Sequence, residues 1–476
     1  MSDETRGTEP EAADVTAADT RPRRPRRRGL AIGLAAGAVV VAAAVVIAVV
    51  VVRNDDQPVG EPVAATVPVA LDASGVPDGT TVGVVLTLGP GAEGADWNGA
   101  AQGALVAERR LELGGGDVSV VTENDGGTET GAREAVEALA QQGVAGIVVA
   151  SSGPHVAGAV DAAADAGIPV VLPYEAVPDG VDGGVWSTAP AADRVGSALT
   201  AALADSARTL LIDAGGGAPV GVEFARTLNA TSSAADGELG TEVARLTGAP
   251  STTATGGDDA TSASSATEAE TEPVTDPADA VVVSGSATRQ AAVVAALQTA
   301  DLAVPVVLTP EATSPAFSTA LREDGASLSG SLVTVGVETD DAVALRGDAA
   351  GRSLSAFLGG VRVLAQDADA TNLTGDQPFS AVAGAADARS HDAVVALVRA
   401  VGAADSVEPG AVADALSTLS LGAADGVAGP ELDFMAPQAL TADVVALTAS
   451  PQDLGLRPAS DGGAARLIWF AEPTDG

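Results

Sequence analysis

The stretch that decides the fold is residues 145–176, AGIVVASSGPHVAGAVDAAADAGIPVVLPYEA. Its apolar run AGIVV stops abruptly at Ser151, Ser152 and Gly153. An alanine-rich pattern with helical spacing follows over 155–167 and ends at Gly167. A second apolar run, IPVVLPYEA (168–176), comes next. Strand, helix and strand within so few residues predict a right-handed crossover and a parallel sheet.

The same alternation extends in both directions. Upstream, TVGVVLTLG (81–89) and DVSVVTEND (117–125) read as strands. Helical patterns at 96–113, opening on Asp96 as its cap, and at 130–143 separate them. Downstream, TLLIDAGG (209–216) reads as a strand, 219–230 as a helix and TEVARL (241–246) as another strand. Residues 277–311 read as strand, helix, strand. The low-complexity segment 248–277 reads as a surface loop, or as a loop around one poor helix near 260–271. After Gly330 come a strand, SLVTVGVE, and helical patterns at 343–366 and 390–404. The chain therefore carries two α/β units of similar size.

Composition narrows the chemistry. There is no cysteine, which excludes disulfides, thiolate metal sites and a cysteine nucleophile. Residues 54–476 hold 16 arginines, no lysine and 58 acids, a formal charge of −42. Such a surface repels phosphate backbones and argues against nucleic-acid binding.

Location rests on RPRRPRRRGLAIGLAAGAVVVAAAVVIAVVVVRNDD (21–56). Its 24 residues 29–52 carry no charge. As a helix they would span about 36 Å, enough to cross a bilayer. Arg21, Arg23, Arg24, Arg26, Arg27 and Arg28 precede it, which places the N-terminus in the cytoplasm and residue 54 onward outside. A cleaved signal peptide is the alternative, although its charged region would be long. Residues 1–28 then form a disordered cytoplasmic tail and 53–78 an extracellular linker.

Ligands of open α/β sheets sit at the carboxyl ends of the strands. Ser151, Ser152 and Gly153 lie at such an end, where free backbone N–H groups and two hydroxyls suit an anion. The same serines could equally cap the following helix. ASSGP is not the G-x-S-x-G elbow of a hydrolytic serine. His155 and His391 have no partner at metal-ligand spacing, so neither a metal nor a cofactor is expected. DAGGGAPVG (213–221) lacks a phosphate-loop lysine and reads as a turn. Enzyme activity is not expected.

Six segments in order resemble the type I periplasmic binding proteins of the leucine/isoleucine/valine-binding branch. They are DWNGAAQGALVAERRLELGG, VVASSGPHVAGAVDAAADAGIPVVLP, VWSTAPAADRVGSALTAAL, residues 277–311, HDAVVALVRAV and GVAGPELDF. The resemblance covers roughly residues 80–455. It implies an α/β fold of two parallel-sheet lobes with a central cleft that closes on its ligand by hinge motion. It also implies lobe boundaries: lobe 1 at 79–189 and 332–425, lobe 2 at 190–331 with its completion and a tail at 426–476. Carried over residue by residue, the Ser151/Ser152/Gly153 loop would hold an amino-acid carboxylate and Glu311 the ammonium, with Trp97 as a cleft aromatic. This chain departs from the pattern at Ala176 (often threonine), Val220 (usually tyrosine), Ser286 (a cleft tyrosine) and His391 (tyrosine), while Tyr174, the chain's one tyrosine, offers partial compensation. The expectation is a membrane-anchored extracellular solute-binding protein that serves an ABC permease and binds an amino acid or similar solute. The alternative is an extracytoplasmic sensor or protein-interaction module on the same scaffold.

Overall fold

The computed structural model describes residues 68–471 except 90, 93, 182, 231–237, 249–273, 301, 329–330 and 459–465. The expected tail 1–28, the expected membrane helix 29–52, residues 53–67 of the expected linker and nearly all of the 248–277 segment lie outside the described residues. Among the described residues no helix is long and apolar enough to cross a membrane.

The first lobe is a parallel sheet of β1 (Thr80–Leu86), β2 (Val118–Asn124), β3 (Gly146–Val149), β4 (Val170–Leu172) and β5 (Val185–Ser187), in the order β2-β1-β3-β4-β5. Its central strands are apolar on both faces, as a sheet covered by helices on each side requires. Val84, Leu86 and Val148 face the helix Ala388–Ala404, whereas Val85, Ile147 and Val149 face the helices Glu129–Gln141 and Val156–Ala166. Leu71 and Ala73 are buried in the first of these cores, so the end of the expected linker belongs to the lobe. The Leu71 N–H donates to the Arg110 carbonyl at 2.8 Å, and apolar burial with backbone pairing holds this segment down.

The second lobe contains β6 (Thr209–Asp213), β7 (Arg226–Asn229), β8 (Ala280–Ser284), β9 (Val306–Leu308) and β10 (Val333–Gly336), all parallel. The ribbon of β11 (Ser420–Leu421) and β12 (Leu432–Asp433) returns to the first lobe, where Val427, Leu432 and Phe434 join its core. Antiparallel β13 (Val445–Ser450) and β14 (Ile468–Ala471) then complete the second sheet in the order β14-β13-β10-β9-β8-β6-β7. Trp469 sits on that edge strand, buried against Phe317 with ring centroids 6.3 Å apart.

Several expectations change. The strand SLVTVGVE belongs to the second lobe's sheet, which moves the lobe boundary past 336, and 426–434 stays with the first lobe. TEVARL is the end of a helix, Glu238–Leu246, which buries Leu239, Val243 and Leu246 along one stripe. That spacing, longer than the six residues read as a strand, is helical. Residues 219–230 form a loop and then β7, because Pro219 and Gly221 (φ 76°) break a helix. Asp96 does not cap its own helix; it lies in the 3₁₀ turn Ala95–Trp97, ahead of the helices Asn98–Ala101 and Gly103–Leu113.

The chain passes between the lobes after β5, after β10 and before β13. Beside these crossings Asp341 accepts hydrogen bonds from Arg457 at 2.9 and 3.0 Å and pairs with Arg466 at 2.9 Å, which also binds Asp340. Burial pushes the Asp341 carboxyl up, but Arg457 and Arg466 outweigh it and hold it down to about 2.

Candidate functional site

The carboxyl ends of β3 and β4 in one lobe face those of β6, β8 and β9 in the other across a cleft of ≈ 370 Å³. That volume suits a small molecule of amino-acid size. A parallel sheet places these ends together because each strand stops where its helix connection begins.

On the first-lobe wall Trp97 and Tyr174 stack face to face, with centroids 4.4 Å apart and planes 2° from parallel. The indole Nε1 donates to Ser152 Oγ at 3.1 Å, and the Tyr174 hydroxyl donates to Asp387 Oδ1 at 2.8 Å. Burial first, and the Asp387 carboxylate next, push the Tyr174 phenol well above its ordinary value, so it stays a donor. Asp387 caps the helix Ala388–Ala404 by accepting from Ser390 N and holds Arg389 Nε at 3.0 Å. The Arg389 guanidinium carbon lies 4.5 Å from the Trp97 ring centroid and 4.8 Å from that of Tyr174.

Glu175 follows the same strand. One carboxylate oxygen accepts the Gly153 N–H at 2.7 Å and the other its neighbour's, Ala176 N–H, at 3.1 Å. Opposite it, Glu311 lies in the 3₁₀ turn Pro310–Thr313, where burial raises its carboxyl above the ordinary value. Gln290 Nε2 donates to the Gly285 carbonyl at 2.8 Å and to Thr309 Oγ1 at 2.9 Å beside it. Ser284, at the end of β8, lines the cleft with a buried hydroxyl that has no hydrogen-bond partner.

Of the residues singled out in sequence, Trp97, Ser152, Gly153, Tyr174, Ala176 and Glu311 all line this cleft. Ser151 is the exception. It is fully buried, 2.6 Å from Thr87 Oγ1 and 2.9 Å from His155 Nε2, and so is committed to the lobe interior. Neither serine caps the helix Val156–Ala166, which begins further on with His155 in the capping position. His155 Nε2 also lies 3.2 Å from Asp125 Oδ2. His391 is an interior group as well: Arg110 only donates, so Nε2 accepts at 2.9 Å and Nδ1–H donates to Asp392 at 2.7 Å. Among the described residues no cluster could hold a metal ion.

Sequence reading passed over Glu175, Ser284, Asp387 and Arg389. Glu175 had a signal, a charge directly after an apolar strand in VVLPYEA. Asp387 and Arg389 had little, because 213 residues separate Asp387 from the tyrosine it binds.

No family model matches the sequence, and none of the curated proteins matches it. Solved structures do. LivJ from Streptococcus pneumoniae, a branched-chain amino acid transporter substrate-binding protein in complex with isoleucine, superposes with a TM-score of 0.53 at 15% identity, over 83% of this chain and 99% of that one. The leucine-binding protein LivK from Thermotoga maritima gives 0.54 at 14% identity, over 82% and 98%. A solute-binding protein from R. palustris in complex with 4-hydroxybenzoate gives 0.52 at 14% identity, over 83% and 96%. The fold is thus that of the type I periplasmic binding proteins, as the motif order implied.

Proposed function

We propose that this chain is a solute-binding protein that traps a small polar, amine-bearing molecule of amino-acid size in the interlobe cleft by hinge closure. The observation that carries the reading is the cleft itself: an aromatic pair on one lobe, a half-buried carboxyl on the other, and crossing segments between. Apolar walls with a few placed polar groups are the usual make-up of a small-molecule site. Structures of the same fold hold isoleucine and 4-hydroxybenzoate. On this reading Glu311 takes the ligand's ammonium and Trp97 and Tyr174 take its apolar body. Handing the solute to an ABC permease, with the binding domain outside the cell on a helix at 29–52, completes the proposal.

The test is thermal unfolding of the full-length protein against a panel of amino acids, amines and other small polar solutes, with Glu311→Ala alongside. A ligand at 100 times its Kd adds about 2.7 kcal/mol of stability. The expected result is a saturable rise in Tm for a subset of the panel that disappears in the variant. A panel that leaves Tm unmoved throughout overturns the reading.

A further inference from the structure

The strand-end N–H of Gly153 is the donor that an anionic ligand group would seek, yet it is already taken. Glu175 reaches back from the end of β4 and places its carboxylate on Gly153 N (2.7 Å) and Ala176 N (3.1 Å). These two donors come from different strand ends and converge on one carboxylate-sized spot in the cleft wall. Ser151 is buried in the lobe interior and adds no donor there, which leaves the hydroxyl of Ser152, whose oxygen accepts from Trp97, as the one serine O–H beside this spot.

The remaining carboxyl points the same way. Glu175 and Glu311 line the cleft together with Arg389, whose Nε is held by Asp387 at 3.0 Å and whose guanidinium lies over the Trp97 and Tyr174 rings. No arginine is hydrogen-bonded to Glu175 or Glu311 among the described residues. A second carboxylate brought to this wall would sit against Glu175, and like charges placed together are strongly unfavourable. A cation meets two carboxyls on opposite lobes. The buried Ser284 hydroxyl, without a partner, lines the facing wall and offers one further hydrogen bond to a polar ligand atom.

Resting on the solute-binding reading, we propose that Glu175 is a built-in occupant of the carboxylate seat, and that the cleft therefore takes organic amines lacking an α-carboxylate and not zwitterionic amino acids. The ammonium bridges Glu175 and Glu311, the carbon chain lies along Trp97 and Tyr174, and a polar group, where present, meets Ser284.

Two arms test this on the full-length protein. The first pairs each amino acid with its decarboxylated amine: leucine with isoamylamine, arginine with agmatine, phenylalanine with phenethylamine. Titration calorimetry on the wild type should favour at least one amine over its amino acid by on the order of a hundredfold. Amino acids binding as tightly as their amines, or no amine binding at 10 mM, which is about 10 times a weak millimolar Kd, overturns the ligand class. The second arm asks whether the seat exists, whatever the native ligand. In Glu175→Ala the vacated donors should take acetate, so that acetate raises Tm in the variant and not in the wild type at matched ionic strength. An equal response in both overturns the seat. Acetate rescue together with a wild type that binds no solute keeps the seat and sinks the solute-binding reading, so the two failures are told apart. Should Glu175→Ala not fold, Glu175→Gln is used. Its amide cannot accept both N–H groups as a carboxylate does, and amine affinity should fall about tenfold or more. Unchanged amine affinity in Glu175→Gln counts against the proposal.

Discussion

Ser151 and Glu175 exchange the roles that position alone suggests. Ser151 ends an apolar strand in the right place for a ligand, but its hydroxyl is locked between Thr87 and His155. Gly94 shows how tightly it is packed: a Cβ there would lie 2.1 Å from Ser151 Oγ. Ser151→Ala should cost about 1–3 kcal/mol of stability by leaving buried partners unpaired. Urea unfolding measures that, and solute affinity should stay where it was. Glu108 gives a pH prediction. Burial raises its carboxyl to about 7, against the Val120 N–H that favours the anion. A folded-state value above the unfolded one means the native state binds the proton more tightly, so stability falls as pH rises from about 4.5 to 7. Glu108→Gln should therefore raise stability at pH 8 by up to about 3 kcal/mol. The gain should vanish near pH 4.5, which thermal melts across that range would reveal. The local logic of these sites was only half legible. An apolar strand ending in serines announces a site, but which side chain turns inward depends on His155 and Thr87, set by tertiary packing.

At the scale of elements, β-α-β order was readable because parallel strands buried on both faces leave long apolar runs such as GIVVA and AVVVS. The misread elements are those where periodicity had few residues to act on. In 241–246 six residues cannot separate alternation from a helical stripe, and the preceding Glu238, Leu239 and Gly240 were needed to see it. In 219–230 the strand register, Leu211 opposite Thr227, comes from pairing with β6 and not from any local pattern. Asp96 carries a prediction that belongs here. Its carboxylate accepts Thr288 N–H at 3.0 Å, at the start of the second-lobe helix Ala287–Thr299, and its carbonyl accepts from Ser314 Oγ at 2.6 Å. A first-lobe residue thus caps a second-lobe helix. Asp96→Ala should remove about 1 kcal/mol from this contact between the lobes, and, on the hinge-closure proposal, ligand release in stopped-flow fluorescence should quicken about fivefold. Unchanged release would show that the cap does not differ between open and closed lobes.

For the whole molecule, the two-lobed plan was legible from the repeat of α/β units, whereas the seam between lobes was not. The Asp340, Asp341, Arg457 and Arg466 network gathers residues from distant parts of the chain beside the crossings. Because the Asp341 carboxyl lies below its ordinary value, its contribution is present above about pH 4 and is lost as pH falls toward 2. Asp341→Asn leaves Arg457 buried without its partner charge and should cost about 3–5 kcal/mol at neutral pH. Acid unfolding of the wild type and the variant should converge near pH 2. One feature sets how such a molecule would be held. Arg110 Nε donates to the Val69 carbonyl at 2.8 Å, and Arg399 donates to that of Asp72 at 2.6 Å, both from first-lobe helices. A pull applied at residues 69–72 is therefore delivered to the first lobe. On the hinge-closure proposal, that lobe would be the stator and the second lobe the moving jaw, and a pull at this end would not pry open the cleft.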